Sequence, residues 1–258
     1  MPNKHFLRKQ NENKNYIKRL ENTVKNILNV ISNIIYPVKC ICCGGSENNK
    51  IFCSRCLELL TREALAECKI CKSPPYLCNC RKILHIDAIF YKYFYAGDEI
   101  KKAIYRYKRA NLYYINEFFA KDMFTLIEKS DRINIGDMDF ITNVPRKTKS
   151  VKYFGYDQTK NLAKLVAKYS GIEYKPILRI TGRPAEQKKL TYGERVSNVA
   201  NKFVPAKKMW ASGKNILLID DILATGSTLS ECARVLKNTG AKKVYALCIA
   251  SILPLNKK

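Results

Sequence analysis

Asp220 and Asp221 stand side by side after a short apolar run, and small or hydroxyl-bearing residues follow at 224–228. Neighbouring carboxylates accept hydrogen bonds from a pair of vicinal hydroxyls, such as the 2-OH and 3-OH of a ribose. Ala224, Thr225, Gly226, Ser227 and Thr228 leave backbone N–H groups clear to converge on an anion where a helix begins. Thr225, Ser227 and Thr228 add hydroxyl donors, and the whole stretch therefore suits a sugar phosphate. Joint ionisation of two adjacent acids is costly unless cations or hydroxyl donors offset it, so a magnesium-bound ligand fits best. Other phosphate motifs do not match: no Gly-Lys-Ser/Thr ending marks a Walker A loop, and no Gly-x-Gly-x-x-Gly marks a dinucleotide turn. An ordinary strand–turn–helix with solvated acids is the bland alternative.

These residues need elements to hold them. The unbroken apolar run 216–219 predicts a strand buried on both faces of a parallel sheet, with the two acids emerging at its carboxyl end, where open α/β sheets bind ligands. A helix follows over 228–238, with Leu229, Cys232, Ala233 and Leu236 on one face and Gly240 just past its end. A strand over 244–250 completes a βαβ unit. Upstream, 86–95 reads as an aromatic-rich strand, 98–109 and 112–129 as helices, 138–144 as a strand and 158–169 as a helix. The 138–144 strand runs into Val144-Pro145-Arg146-Lys147-Thr148-Lys149, a basic turn that again falls at a carboxyl end.

The cysteines form a second pattern. Nine of the eleven lie between positions 40 and 80, paired as Cys40/Cys43, Cys53/Cys56, Cys68/Cys71 and Cys78/Cys80. A C-x-x-C turn lets two thiolates reach one ion, so three such pairs and the tighter C-x-C of Cys78 and Cys80 predict two structural zinc sites. The sequential assignment gives Cys40, Cys43, Cys53 and Cys56 one zinc and Cys68, Cys71, Cys78 and Cys80 the other; a cross-braced pairing is open. Disulfides are the competing reading, but a cytosolic chain keeps thiols reduced. Cys42 is left over, and Cys232 and Cys248 read as small buried hydrophobes.

Residues 215–228 resemble the phosphoribosyl pyrophosphate (PRPP) motif of type I phosphoribosyltransferases. With the cysteine-rich module ahead of it, the chain resembles the ComF family over about residues 36 to 252. That resemblance implies a phosphoribosyltransferase-like α/β parallel sheet flanked by helices, an amino-terminal double zinc ribbon and a role in DNA uptake during natural competence. It implies PRPP on Asp220, Asp221 and 224–228, with Arg146 and Lys147 on the pyrophosphate side. Phe154-Gly155-Tyr156-Asp157-Gln158 resembles the family's Arg-Gly-Phe-Asn-Gln stretch. Gly155 and Gln158 match, while Phe154 and Asp157 replace the basic and amide positions, and Lys152 is the candidate for the missing charge. Arg183, Gln187, Leu190, Arg195 and Asn198 resemble the family's hood over the reaction centre.

The chain of 258 residues carries 47 Lys and Arg against 22 Asp and Glu, a formal charge of +25. So large an excess predicts a polyanionic partner, and single-stranded DNA is the expected one. Tyr105, Arg106, Tyr107, Lys108 and Arg109 interleave rings and cations in a way that suits stacked bases, although the same rings can cover a sheet. Residues 1–36 form a basic arm with an amphipathic helix over 16–35, 37–82 the zinc module and 83–258 the phosphoribosyltransferase-like domain. No apolar stretch approaches the ~20 residues of a membrane span, and a cytoplasmic location is expected. Two functions follow: a phosphoribosyltransferase of unknown acceptor, or a DNA-handling protein that uses a degenerate PRPP-type site as a ligand sensor.

Overall fold

The fold is described from a computed structural model, which covers residues 38–48, 50–64, 72–74, 78, 83–95, 98–109, 113–181, 202–206 and 210–252. The chain divides into two compact units, 1–54 and 55–258. In the first, the Cys40 N–H donates to the Gly45 carbonyl (2.7 Å) and the Gly44 N–H to that of Cys40 (2.9 Å), closing a tight turn. Glu47 accepts from the Ser54 N–H (2.8 Å) and from Lys50 Nζ (2.7 Å). Those bonds hold the Glu47 carboxyl down to about 2. The Ser54 contact places an acid where the helix α1 (Ser54–Ala64) begins and its first N–H groups lack partners.

The second unit is built on four parallel strands in the order β1 (Ala88–Phe94), β6 (Lys243–Ser251), β5 (Asn215–Leu223), β2 (Phe140–Asn143). Between β1 and β2 run α2 (Asp98–Arg109) and α3 (Tyr113–Glu128); α4 (Thr148–Phe154) and α5 (Gln158–Ser170) follow β2. β3 (Leu178–Ile180) and β4 (Phe203–Pro205) pair antiparallel, and α6 (Ser227–Asn238) joins β5 to β6. The α/β parallel sheet with flanking helices is thus the expected fold class, and the two central strands, β5 and β6, carry runs of Ile, Leu, Val and Ala because both faces are covered.

Two core layers follow from the period-2 alternation of β5. Ile216 and Leu218 join Leu229, Cys232, Ala233 and Leu236 of α6 in one buried cluster, with Val244, Ala246 and Cys248 of β6. Leu217 and Ile219, also fully buried, face the other side, where α5 packs on β2 and β5 and α3 packs on β1 and β6. Cys232 and Cys248 are completely buried, as expected. The predicted α6 face is the buried one, and the helix ends with Thr239 and Gly240, the latter at φ +93.

One expectation needs refinement. Asp220 and Asp221 do not follow the strand but lie within β5, which runs on to Leu223 alongside β6. They are nonetheless at an open end, because β2 stops at Asn143 opposite Ile219. Past that point β5 has lost one neighbour, and the space beside it is where the site forms. No helix among the described residues is long and apolar enough to cross a membrane.

Candidate active site

Alternation sends the two acids to opposite faces of β5. Asp220 points to the α6 side, where it lines a small open hollow with Ile222, Leu223, Ala224, Thr225, Gly226, Thr228 and Leu229. Asp221 points to the α5 side and is only 6% exposed. Its Oδ2 accepts from Arg146 Nη2 at 2.5 Å and lies 3.2 Å from Lys108 Nζ. Arg146 Nη1 also donates to Gln158 Oε1, while Gln158 Nε2 donates to the Lys108 carbonyl (2.8 Å). Arg146, Gln158, Lys108 and Asp221 are therefore one connected network.

The turn that closes the hollow depends on Gly226. It caps α6 in the left-handed conformation at φ +85, and an added Cβ would fall 2.3 Å from Ile83 Cδ1. Only glycine meets both demands. Thr225 Oγ1 and Ser227 Oγ are 2.8 Å apart, and the Ser227 N–H donates to Thr225 Oγ1 (3.3 Å). Ala224 and Thr225 are exposed and line the hollow with Gly226 and Thr228, where α6 begins.

The acids differ electrostatically as well as in direction. Burial, and next the charge of Asp221, push the Asp220 carboxyl up from 3.8 to about 8; the Asp221 N–H, Arg146 and Lys108 pull the other way. Asp220 therefore carries a proton near neutral pH. In stability terms, the folded chain keeps a proton that an unfolded aspartate has lost, so ionising Asp220 imposes a cost that grows as pH rises from about 4 and levels off above about 8. A ligand offering a cation or hydroxyl donors relieves that cost.

Other expected residues fall in varied places. Lys147 sits exposed at the start of α4, and Lys152 is exposed on that helix. Asp157, read as replacing an amide, is the N-cap of α5: its Oδ1 accepts from the Lys160 N–H and from Thr159 Oγ1, both at 3.0 Å. Gly155 ends α4 at φ +75. Arg183, Gln187 and Arg195 lie outside the described residues, as do Leu190, Asn198 and the arm 1–36. The strands flanking that hood segment do pair, and the Thr181 N–H donates to the Lys202 carbonyl (2.8 Å). Lys108 is the residue the sequence did not assign to the site. It was visible only as part of a basic, aromatic helix end.

The thiols of Cys40, Cys43, Cys53 and Cys56 converge within 4.8 Å of one another. Cys43 Sγ and Cys53 Sγ are 3.8 Å apart. A zinc tetrahedron with Zn–S bonds of about 2.3 Å has edges of roughly that length, so the cluster fits such an ion. Burial pushes the Cys40 thiol up, but the N–H groups of Cys43, Cys53 and Cys42 outweigh it and bring it down to about 6. Thiolate, the ligand form, is thereby favoured. Cys68, Cys71 and Cys80 lie outside the described residues; Cys78 belongs to the large buried apolar cluster of the sheet and α6.

Comparison with known proteins bears on the strand, turn and helix of this site. Residues 187–257 match the phosphoribosyl transferase domain family. That stretch takes in β5, the 224–228 turn, α6 and β6, whereas Lys108, Arg146 and Gln158 precede it. A ribose-phosphate pyrophosphokinase of Methanopyrus kandleri is 32% identical over 97 residues, which is 38% of this chain and 28% of that protein. An adenine phosphoribosyltransferase of Mycobacterium marinum is 36% identical over 62 residues, 24% of this chain and 34% of that one. The chain thus spans about a third or less of the length of these relatives. A crystal structure of adenine phosphoribosyltransferase overlays 55% of this chain and 71% of its own at 19% identity and a TM-score of 0.34. At that score the overlay carries no argument, and the likeness to the phosphoribosyl transferase domain family rests on the sequence of residues 187–257.

Proposed function

We propose that this chain binds PRPP as its magnesium complex at the carboxyl edge of its sheet and transfers the phosphoribosyl group to an acceptor not yet identified. The observation that carries the reading is that Asp220 lines one hollow with Ala224, Thr225, Gly226 and Thr228 of the turn. The 5-phosphate belongs on the turn and the start of α6 and the ribose hydroxyls on Asp220, which shares the hollow, while Asp221 on the other face of β5 holds the cations of the pyrophosphate side. Magnesium, when bound, offsets the negative charge of the pyrophosphate and of the acids. The matched family and the names of both relatives concern a phosphoribosyl or ribose-phosphate group, which supports the ligand class.

In the proposed reaction an acceptor nitrogen attacks the anomeric carbon and loses a proton. The bond from that carbon to pyrophosphate breaks, and pyrophosphate leaves with the electron pair. The transition state carries positive charge on the ribosyl group and negative charge on the leaving oxygens, so fixed cations on the pyrophosphate side lower its energy. Arg146, Lys147 and Lys152 are the proposed cations there, with Gln158 orienting Arg146 and with Arg183, Gln187 and Arg195 closing over the site. On this reading Cys40, Cys43, Cys53 and Cys56 hold one structural zinc and Cys68, Cys71, Cys78 and Cys80 a second, and the chain works in the cytoplasm. The ComF-like order of modules and the charge of +25 favour a place in DNA uptake, with single-stranded DNA as partner.

Binding should be coupled to a proton. Asp220 is protonated near neutral pH, and a magnesium-bound diol favours its ionised form, so binding releases that proton. Calorimetric titration at pH 7 in two buffers of different ionisation enthalpy should show release approaching one proton per PRPP, fading above pH ~9, where Asp220 is already ionised. Binding with no proton release at pH 7 would remove Asp220 from the ligand.

A further inference from the structure

We infer that Lys108 is a second cation of the pyrophosphate side, held on Asp221 together with Arg146 until the polyanion of the ligand draws both away. This rests on the PRPP reading above and deepens it. Lys108 and Arg146 both contact Asp221 Oδ2, at 3.2 and 2.5 Å. Two cations against one carboxylate leave a positive charge over, and a protonated Asp220 does nothing to cancel it. Only 8% of the Asp221 side chain is exposed, against 20% for Arg146 and 36% for Lys108. The carboxylate is thus the enclosed end of the network, and the lysine is the end an incoming anion can reach.

The backbone under Lys108 is fixed to a degree that a surface lysine does not require. Its carbonyl accepts from Gln158 Nε2 at 2.8 Å. The preceding Tyr107 is fully buried, donates from its hydroxyl to the Gln158 carbonyl (3.4 Å) and accepts at its own carbonyl from the Tyr156 hydroxyl (3.3 Å). Burial and the charge of Asp221 push the Tyr107 phenol well up, so it stays a neutral donor. Three cross-links therefore tie the end of α2 to the start of α5 beside Arg146. A pyrophosphate carries more negative charge than one carboxylate and offers more acceptor oxygens, so it competes well for both cations. The exchange releases Asp221 for magnesium at the moment the ligand arrives.

The test uses the full-length chain and three probes: magnesium-PRPP, magnesium pyrophosphate and ribose 5-phosphate, titrated by calorimetry. Lys108→Ala should weaken PRPP and pyrophosphate binding by about tenfold or more, the factor carried by one charge-assisted hydrogen bond, and leave ribose 5-phosphate unchanged. Lys108→Arg should recover most of the loss, and Lys101→Ala, an exposed lysine on the same helix, should bind like wild type. Equal pyrophosphate and PRPP affinity in Lys108→Ala and wild type would overturn the inference while leaving the PRPP reading intact. So would a parallel loss of ribose 5-phosphate, which marks a merely structural lysine. Wild-type protein that binds neither PRPP nor pyrophosphate would overturn both.

Discussion

Cys40→Ser protein is expected to lose one zinc per chain and, with it, the ordered structure of residues 38–56. The apolar material there is slight: among the described residues between Val38 and Ser54, Ile41 and Phe52 are the buried ones that are not cysteine. A segment with so small a core draws its folding energy from the metal, and structural zinc supplies about 10–16 kcal/mol of apparent binding energy at neutral pH. Cys40 is the most informative ligand to remove, because it is buried and its thiol is already brought down to about 6. Elemental analysis of purified wild-type and variant protein, with limited proteolysis across 38–56, reads both effects. Unchanged zinc content, or unchanged protease resistance after chelation, would mean that the four thiols serve something other than a structural ion.

Asp221→Ala is expected to lower the unfolding free energy by about 2–3 kcal/mol. Removing one member of an enclosed ion network strands the others, and here it leaves Arg146 and Lys108 without the carboxylate oxygen they share. The partial exposure of both cations keeps the cost below that of a fully buried pair. Glu58→Ala makes the comparison: its pair with Arg62 is mostly exposed and should contribute less than ~0.5 kcal/mol. Urea denaturation of both variants measures the difference. An Asp221→Ala protein as stable as Glu58→Ala would show that the network is a surface decoration.

Much of the sheet and of the turn at 224–228 was legible in the sequence, because both are coded locally. The apolar run at 216–219 can only be satisfied by burial on two faces, and Gly226 with its hydroxyl neighbours signals a tight turn within five residues. The α6 face Leu229, Cys232, Ala233, Leu236 was legible for the same reason, since its period of 3.6 is written in one helix. What was not legible is long-range. Asp220 and Asp221 read as a matched pair, yet the strand continues through them and alternation turns them to opposite faces. That outcome depends on β6 extending the pairing past Ile219, which no local pattern announces. Lys108 reaches Asp221 from a helix more than a hundred positions away, and in sequence it looked like one cation in a basic cluster with Tyr105 and Arg109. Of those, Arg109 does stack over the exposed Tyr105 ring, 5.1 Å from its centroid, while Tyr107 is core. Asp157 was misleading for the converse reason: a substitution that looked like a loss of chemistry is the cap of α5.

The most direct test is the calorimetric titration of zinc-loaded wild-type protein with magnesium-PRPP beside Asp220→Asn/Asp221→Asn protein. Saturable binding by wild type, weakened about a hundredfold or more in the variant through loss of two charge-assisted contacts, is the predicted result. Absence of binding by folded wild-type protein, or equal binding by the two, would contradict the assignment of this edge of the sheet to a phosphoribosyl ligand.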